Sequence, residues 1–185
     1  MSIDWKKQWK FHAPNFKNGY AHLHPRECSP FRLLPGPGFG DNSHPTTQLM
    51  LQLMPDLVKG KHVIDIGCGS GILSIAAAKM GALSVHGVDI DPLALTHARK
   101  NAELNNLTIS FSTHYNPSHD AIYLMNMIPL EQREAVRTLT PSLGSLWLIS
   151  GILSSQSYKP GTVLKEFFLG EWKAMLVSDF NKNII

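Results

Sequence analysis

Few folds accommodate the stretch Val63-Ile64-Asp65-Ile66-Gly67-Cys68-Gly69-Ser70-Gly71-Ile72-Leu73. An apolar run carrying an acid, three glycines at alternate positions and then a Leu/Ile/Ala run describe a buried strand that turns sharply into a helix. Glycine suits such a turn because the backbone visits angles a side chain would forbid, and because a ligand can then approach the amides at the helix start. Asp89, in Gly87-Val88-Asp89-Ile90-Asp91-Pro92, closes the next apolar strand. It falls about 20 residues beyond the turn, where a strand-helix-strand unit places a carboxylate to accept hydrogen bonds from both hydroxyls of a ribose. Turn and acid together favour a ligand containing adenosine. A glycine turn alone would also serve as ordinary α/β connection chemistry, and Asp89 in register argues against that reading. Residue 72 is isoleucine where a G-x-G-x-x-G dinucleotide turn has its third glycine, so the pattern here is G-x-G-x-G.

The surrounding chain alternates in the same way. Leu49, Met50, Leu53, Met54 and Leu57 recur at three- and four-residue spacing, which predicts an amphipathic helix over 45–57 with Ser43 or His44 before Pro45 at its start. Strand His62–Ile66, a helix over 71–80, strand Ser84–Val88 and helix Pro92–Leu104 follow. Short strands over 108–111 and 121–125, a helix over 130–139 and an apolar strand over 145–149 continue the pattern. The expected fold is α/β: a doubly wound, mostly parallel Rossmann-like sheet with helices on both faces. Beyond residue 150, Lys159-Pro160-Gly161 interrupts any helix running from Ile152, Thr162–Leu169 is apolar with a helical period, and 173–180 reads as a closing strand. The final strand order is left open.

A chain of 185 residues suits one domain. Residues 1–40, rich in aromatics, histidine and proline without clear period, read as an irregular arm with short extended pieces packed on a domain at 41–185. His22, His24 and Cys28 in that arm lack a second ligand pair at metal-site spacing, so no metal is expected. Two cysteines, Cys28 and Cys68, make no disulfide framework, and no stretch approaches the roughly 18 uninterrupted apolar residues of a membrane span. The first residues lack the apolar core of a signal peptide, and the cytoplasm is the expected location. The net charge of +3 is too small to indicate a nucleic-acid partner, although Lys6, Lys7, Lys10, Lys17, Arg26 and Arg32 make the arm the more basic part.

The G-x-G-x-G turn with Asp89 resembles the class I S-adenosylmethionine-dependent methyltransferases, and the inferred cofactor is S-adenosylmethionine. A longer set of blocks narrows the likeness: Leu34-Pro35-Gly36-Pro37-Gly38-Phe39-Gly40-Asp41-Asn42-Ser43-His44-Pro45-Thr46-Thr47, the turn itself, Asn126-Met127-Ile128 and Ser150-Gly151-Ile152-Leu153. Together with Trp5 and the 11–14 region they resemble the ribosomal protein L11 methyltransferases over nearly the whole chain. The resemblance implies that Thr47 contacts the cofactor, Gly67 supports its methionine part, Asp89 holds the ribose, and Asn126 sits beside the methyl group as the catalytic residue. Gly69 and Gly71 belong to the same cofactor-binding turn. Physical reasons accompany these roles. Asp65, at a strand end, can reach an ammonium directly or through water; Ile90 can cover the adenine; Asn126 can accept a hydrogen bond from an attacking amine.

The activity implied is N-methylation of protein amino groups, with a ribosomal protein as the model substrate. Asp41-Asn42-Ser43 departs from the glycine and threonine of the family's block, and the family's separate N-terminal recognition domain is expected to be missing. The alternatives are an RNA or small-molecule methyltransferase and a non-catalytic S-adenosylmethionine-binding module. Asn126-Met127-Ile128 is unlike the N-P-P-Y pattern of amide and adenine nitrogen methylation, which favours an amine acceptor.

Overall fold

The computed structural model describes residues 3–115, 121–138 and 144–180. The chain begins with α1 (Trp5–His12), followed by the short strands β1 (Phe16–Lys17), β2 (Tyr20–Leu23) and β3 (Phe31–Leu33). Asp4 caps α1 by accepting from the Lys7 amide at 3.0 Å, and β1-β2-β3 form an antiparallel sheet. The arm is thus more regular than its sequence suggested. Trp9, Leu23, Phe31 and Leu33 are buried in one cluster with Met50, Ile75 and Ala76 of the following helices, and this burial orders the aromatic-rich segment.

Next come α2 (Pro45–Leu53), α3 (Pro55–Val58), β4 (His62–Ile66), α4 (Ile72–Lys79), β5 (Ser84–Val88), α5 (Pro92–Leu104), β6 (Ser110–Ser112), β7 (Ala121–Asn126), α6 (Pro129–Thr138) and β8 (Leu146–Leu153). The expected helix over 45–57 is broken at Met54, because Pro55 has no amide hydrogen to continue the ladder and starts α3 instead. Strand β8 runs on to Leu153 where the sequence had placed its end at 149. The predicted end of the helix over 130–139 lies outside the described residues.

Thr162–Leu169 is a correction. It forms β9, not a helix, and pairs antiparallel with β10 (Trp172–Ser178) across a hairpin at Gly170-Glu171. Val163 and Phe167 are its half-buried residues, and their four-residue separation imitates helical spacing. Pairing with β10 satisfies the backbone and decides the outcome.

The main sheet has seven strands in the order β6-β5-β4-β7-β8-β10-β9. All pairs from β6 to β8 are parallel, and β10 is inserted antiparallel between β8 and β9. This is the doubly wound, mostly parallel α/β fold. Side chains alternate across it. Val63, Val85, Leu124 and Leu148 face α2 and α4, whereas Ile64, Ile66, Tyr123, Trp147 and Ile149 face Val136 of α6. The second face is locked by Trp147, which is fully buried and stacks on Tyr123 with ring centroids 4.3 Å apart. The chain leaves β4 for β5 on one side and returns to β7 on the other, so a crevice opens at the carboxyl ends of these strands.

Candidate active site

The glycine turn lies at that switch point. Gly67 and Cys68 donate their amides to the Val88 carbonyl at 2.8 and 3.0 Å, which ties the turn to β5. The carboxylate of Asp89 accepts from the Gly69 amide at 2.9 Å with one oxygen and from the Asp91 amide at 3.0 Å with the other. It is therefore oriented beside the turn, with lone pairs left for further donors. A Cβ on Gly67 would stand 2.5 Å from the Met127 sulfur. Close packing between the turn and the β7–α6 loop thus requires the absence of a side chain there.

The loop before α2 forms the near wall. Its Phe39 carbonyl accepts from the Ser70 amide at 2.8 Å, and its Gly40 carbonyl accepts from the Ser70 hydroxyl at 2.6 Å. His97 of α5 holds it from behind. Nδ1 accepts from the Gly38 amide at 3.2 Å and Nε2 donates to the Leu34 carbonyl at 2.7 Å, which assigns a neutral ring protonated on Nε2. Burial lowers the His97 pKa, in keeping with that tautomer. Asn101 adds bonds to Leu34 and Ser70, and the Trp9 indole donates to the Gly36 carbonyl. Sequence reasoning missed His97 and Asn101, since both act on partners more than thirty residues away.

Asn126 ends β7 on the far wall. Its Nδ2 donates to Thr47 Oγ1 at 3.2 Å. Its Oδ1 is enclosed and has no hydrogen-bond partner among the described residues, an arrangement that reserves an acceptor for an incoming donor. His44 caps α2 by accepting from the Thr46 amide, and its ring meets Trp172 of β10 with centroids 4.7 Å apart.

These walls enclose a cavity of about 860 Å³, within the usual range for a small-molecule site. Gly67, Gly69, Val88, Asp89, Ile90, Asn126, Met127, His44 and Trp172 contribute to its lining. Its charge is one-sided. Among the described residues Asp89, Asp91, Glu131 and Glu134 line it and no lysine or arginine does, although Arg137 pairs with Glu134 at 2.7 Å and the whole chain carries a net +3. Such a site favours cations.

A family model described as Ribosomal protein L11 methyltransferase (PrmA) matches residues 3–171. The chain belongs to that family. A ribosomal protein L11 methyltransferase from Photorhabdus laumondii is 37% identical over 171 residues, and one from Salmonella arizonae is 36% identical over 181 residues. The matches cover 83% and 89% of this chain but only 57% and 62% of those curated relatives. The crystal structure of ribosomal protein L11 methylase from Lactobacillus delbrueckii subsp. bulgaricus is 29% identical, with a TM-score of 0.68 over 82% of this chain and 86% of that one.

Within this family member, the residues singled out from sequence divide into two groups. Gly67, Gly69, Asp89, Ile90 and Asn126 come together on the cavity wall, with Ile90 almost fully exposed at its rim. Thr47, Asp65 and Gly71 lie behind it. Thr47 is buried and positions Asn126, while its neighbour Thr46 lines the cavity. Gly71 starts α4 in a left-handed conformation against Ala98. Among the described residues no three potential metal ligands converge, and no helix is long and apolar enough to cross a membrane.

Asp65 departs most from expectation. Its carboxylate is buried on β4 and accepts the Ser74 hydroxyl at 2.6 Å, so it is enclosed beneath the turn and does not face the cavity. Burial pushes its pKa up to about 7; bonds from Ser74 oppose the rise and the charge of Asp89 adds to it. The native state therefore keeps a proton that the unfolded chain has released between the ordinary carboxylate range and about 7. Asp65 contributes most stability at low pH, and that contribution declines as pH rises through this window. Asp65→Asn is expected to melt progressively higher than the parent, by a few degrees, as thermal scans move from pH 5 to pH 8. A pH-independent difference would show that Asp65 does not titrate there.

Proposed function

We infer that the chain is an S-adenosylmethionine-dependent methyltransferase acting on amino groups of a protein, with ribosomal protein L11 or a similar basic protein as acceptor. The observation carrying this reading is the cavity beside the glycine turn: Asp89 and Asn126 both line it, and among the described residues its lining includes four acids and no lysine or arginine. A phosphate-bearing acceptor would meet repulsion there, whereas a cationic cofactor and a lysine or terminal amine would be drawn in.

The residues present fit the cofactor. Asp89 offers acceptor capacity for ribose hydroxyls, Gly67 and Gly69 allow close approach, Ile90 offers an apolar cover for adenine, and Asn126 Oδ1 is an enclosed acceptor without a partner among the described residues. Thr47, Asp65 and Gly71 shape the wall from behind. When bound, S-adenosylmethionine supplies a methyl group already activated by its sulfonium.

What remains for the protein is placement. With Nδ2 held by Thr47, Asn126 would offer Oδ1 to an N–H of the entering amine and so orient its nitrogen. An amine delivered there as a neutral nitrogen would take up the methyl group that the cofactor supplies, and its extra proton would pass to water at the open cavity or to His44 on its wall. Trp172, Phe39 and Ile128 line the path with apolar surface that limits water around the reactants.

Transfer of labelled methyl into an undermethylated extract, resolved into protein, RNA and small molecules, tests the reading. Label in a small ribosomal protein supports it. Label in RNA or metabolites transfers the proposal to those acceptors, and tight cofactor binding without label indicates a non-catalytic module. Asn126→Ala is expected to lower kcat by roughly a hundredfold while changing cofactor affinity only a few fold, because its oxygen acts on the reacting nitrogen. Equal losses in both would make it a cofactor-holding residue.

A further inference from the structure

Gln132 lies one turn into α6 and is fully buried, although glutamine is ordinarily a surface residue. Its Nε2 donates to two main-chain carbonyls, Met127 at 2.6 Å and Ser150 at 2.9 Å. Its Oε1 is enclosed and has no partner among the described residues. A buried acceptor left in this way is destabilising, so a residue chosen for stability alone would be apolar or fully satisfied.

The two carbonyls are informative. Met127 follows Asn126 in the loop leaving β7, and Ser150 is the register partner of Asn126 on β8. The Met127 carbonyl also faces Gly151 so closely that a Cβ there would approach within 2.2 Å. From Ser150 the connections continue, since its hydroxyl donates to the Lys173 carbonyl at 3.0 Å and the adjacent Trp172 packs on His44. His44 caps α2, which carries Thr47 back to Asn126. The chain of contacts closes on itself around the cavity, with Gln132 as the side chain that joins its β7 and β8 halves.

We propose that Gln132 is a positioning residue for methyl transfer: its carboxamide clamps the Asn126-Met127 backbone to β8 and thereby holds Asn126 Oδ1 in line with the acceptor nitrogen. The proposal rests on the function inferred above. It acts through Asn126 and has no contact with the cavity itself.

Gln132→Met removes both donors at similar size. Its kcat should fall by roughly tenfold or more, with S-adenosylmethionine affinity within about twofold of the parent. Gln132→Glu supplies a graded rescue. A carboxyl buried against two carbonyls stays protonated and restores one donor, so its kcat should lie between those of the parent and the methionine variant. Amide hydrogen exchange supplies a readout independent of turnover. Exchange in the segment around 126–132 should quicken in Gln132→Met by about tenfold, while the β4–α4–β5 region stays protected. Unchanged kcat with unchanged exchange overturns the proposal. So does a parallel fall in kcat and cofactor affinity, which would mean that the whole cavity had loosened. If the parent transfers no methyl to any acceptor, the functional reading is at fault; the exchange pattern alone then decides whether the clamp exists.

Discussion

Asp89→Ala is expected to weaken S-adenosylmethionine binding by about a hundredfold or more in calorimetric titration. Two ribose hydroxyls would lose the carboxylate, each bonded to it at about 1.5–3 kcal/mol, with about 1.4 kcal/mol corresponding to a factor of ten. Asp89 is partly exposed, which places the expected loss at the lower end of that range. The substitution has a second effect in the unliganded protein, because the carboxylate also receives the Gly69 and Asp91 amides. Losing it frees the turn that the cofactor must find already formed. Asp89→Asn separates these effects. One amide oxygen can still receive a backbone donor, but its NH2 group must face the other, so an intermediate affinity is expected. Affinities of both variants within about twofold of the parent would place the ribose elsewhere.

The parts of the site that were legible in sequence are those built from local rules. The turn from β4 into α4 and the acid ending the next strand depend on glycine and on apolar periodicity, and both lie within one strand-helix-strand unit. Pro45 likewise narrowed the start of α2 to Ser43 or His44, of which His44 is the cap. The remainder depends on residues distant in sequence. His97 reaches back 59 positions to Gly38, and Gln132 reaches forward 18 to Ser150; neither carries a local motif. Asp65 was misplaced for a related reason. Its position at a strand end suggested access to a ligand, but the Ser74 hydroxyl, nine residues on, turns the carboxylate inward. For β9, exposure on both faces removed the alternation by which a strand is ordinarily recognised.

The division bears on the alternative acceptors. The turn and Asp89 are common to many nucleoside-cofactor sites and leave the acceptor open. The acidic lining restricts it, and half of that lining comes from Glu131 and Glu134 of α6, whose cavity-facing role becomes visible only when α6 is placed over β7. On the proposed reading, acceptor choice is set by the helix that follows Asn126, and cofactor choice by the unit that precedes it.

Gly151→Ala is expected to be the most destabilising single-methyl addition near the site. Gly151 has φ of 90°, and its added Cβ would stand 2.2 Å from the Met127 carbonyl oxygen. The left-handed backbone costs roughly 1–3 kcal/mol for a residue with a side chain, and overpacking typically adds about 1–3 kcal/mol. Relief by movement is limited, because Met127 is held by Gln132 and β7 is paired with β8 from Ile122 to Asn126. Gly170→Ala provides the control. Its φ is 59° but nothing lies within 4 Å of the added Cβ, so it should show the backbone cost alone. Denaturant titration should therefore place Gly151→Ala about 1–3 kcal/mol below Gly170→Ala. Any Gly151→Ala protein that folds should also lose turnover, since the carbonyl it displaces adjoins Asn126. Equal stabilities for the two variants would mean that β8 yields at Gly151, and that the close contact with Met127 neither holds the loop nor constrains Asn126.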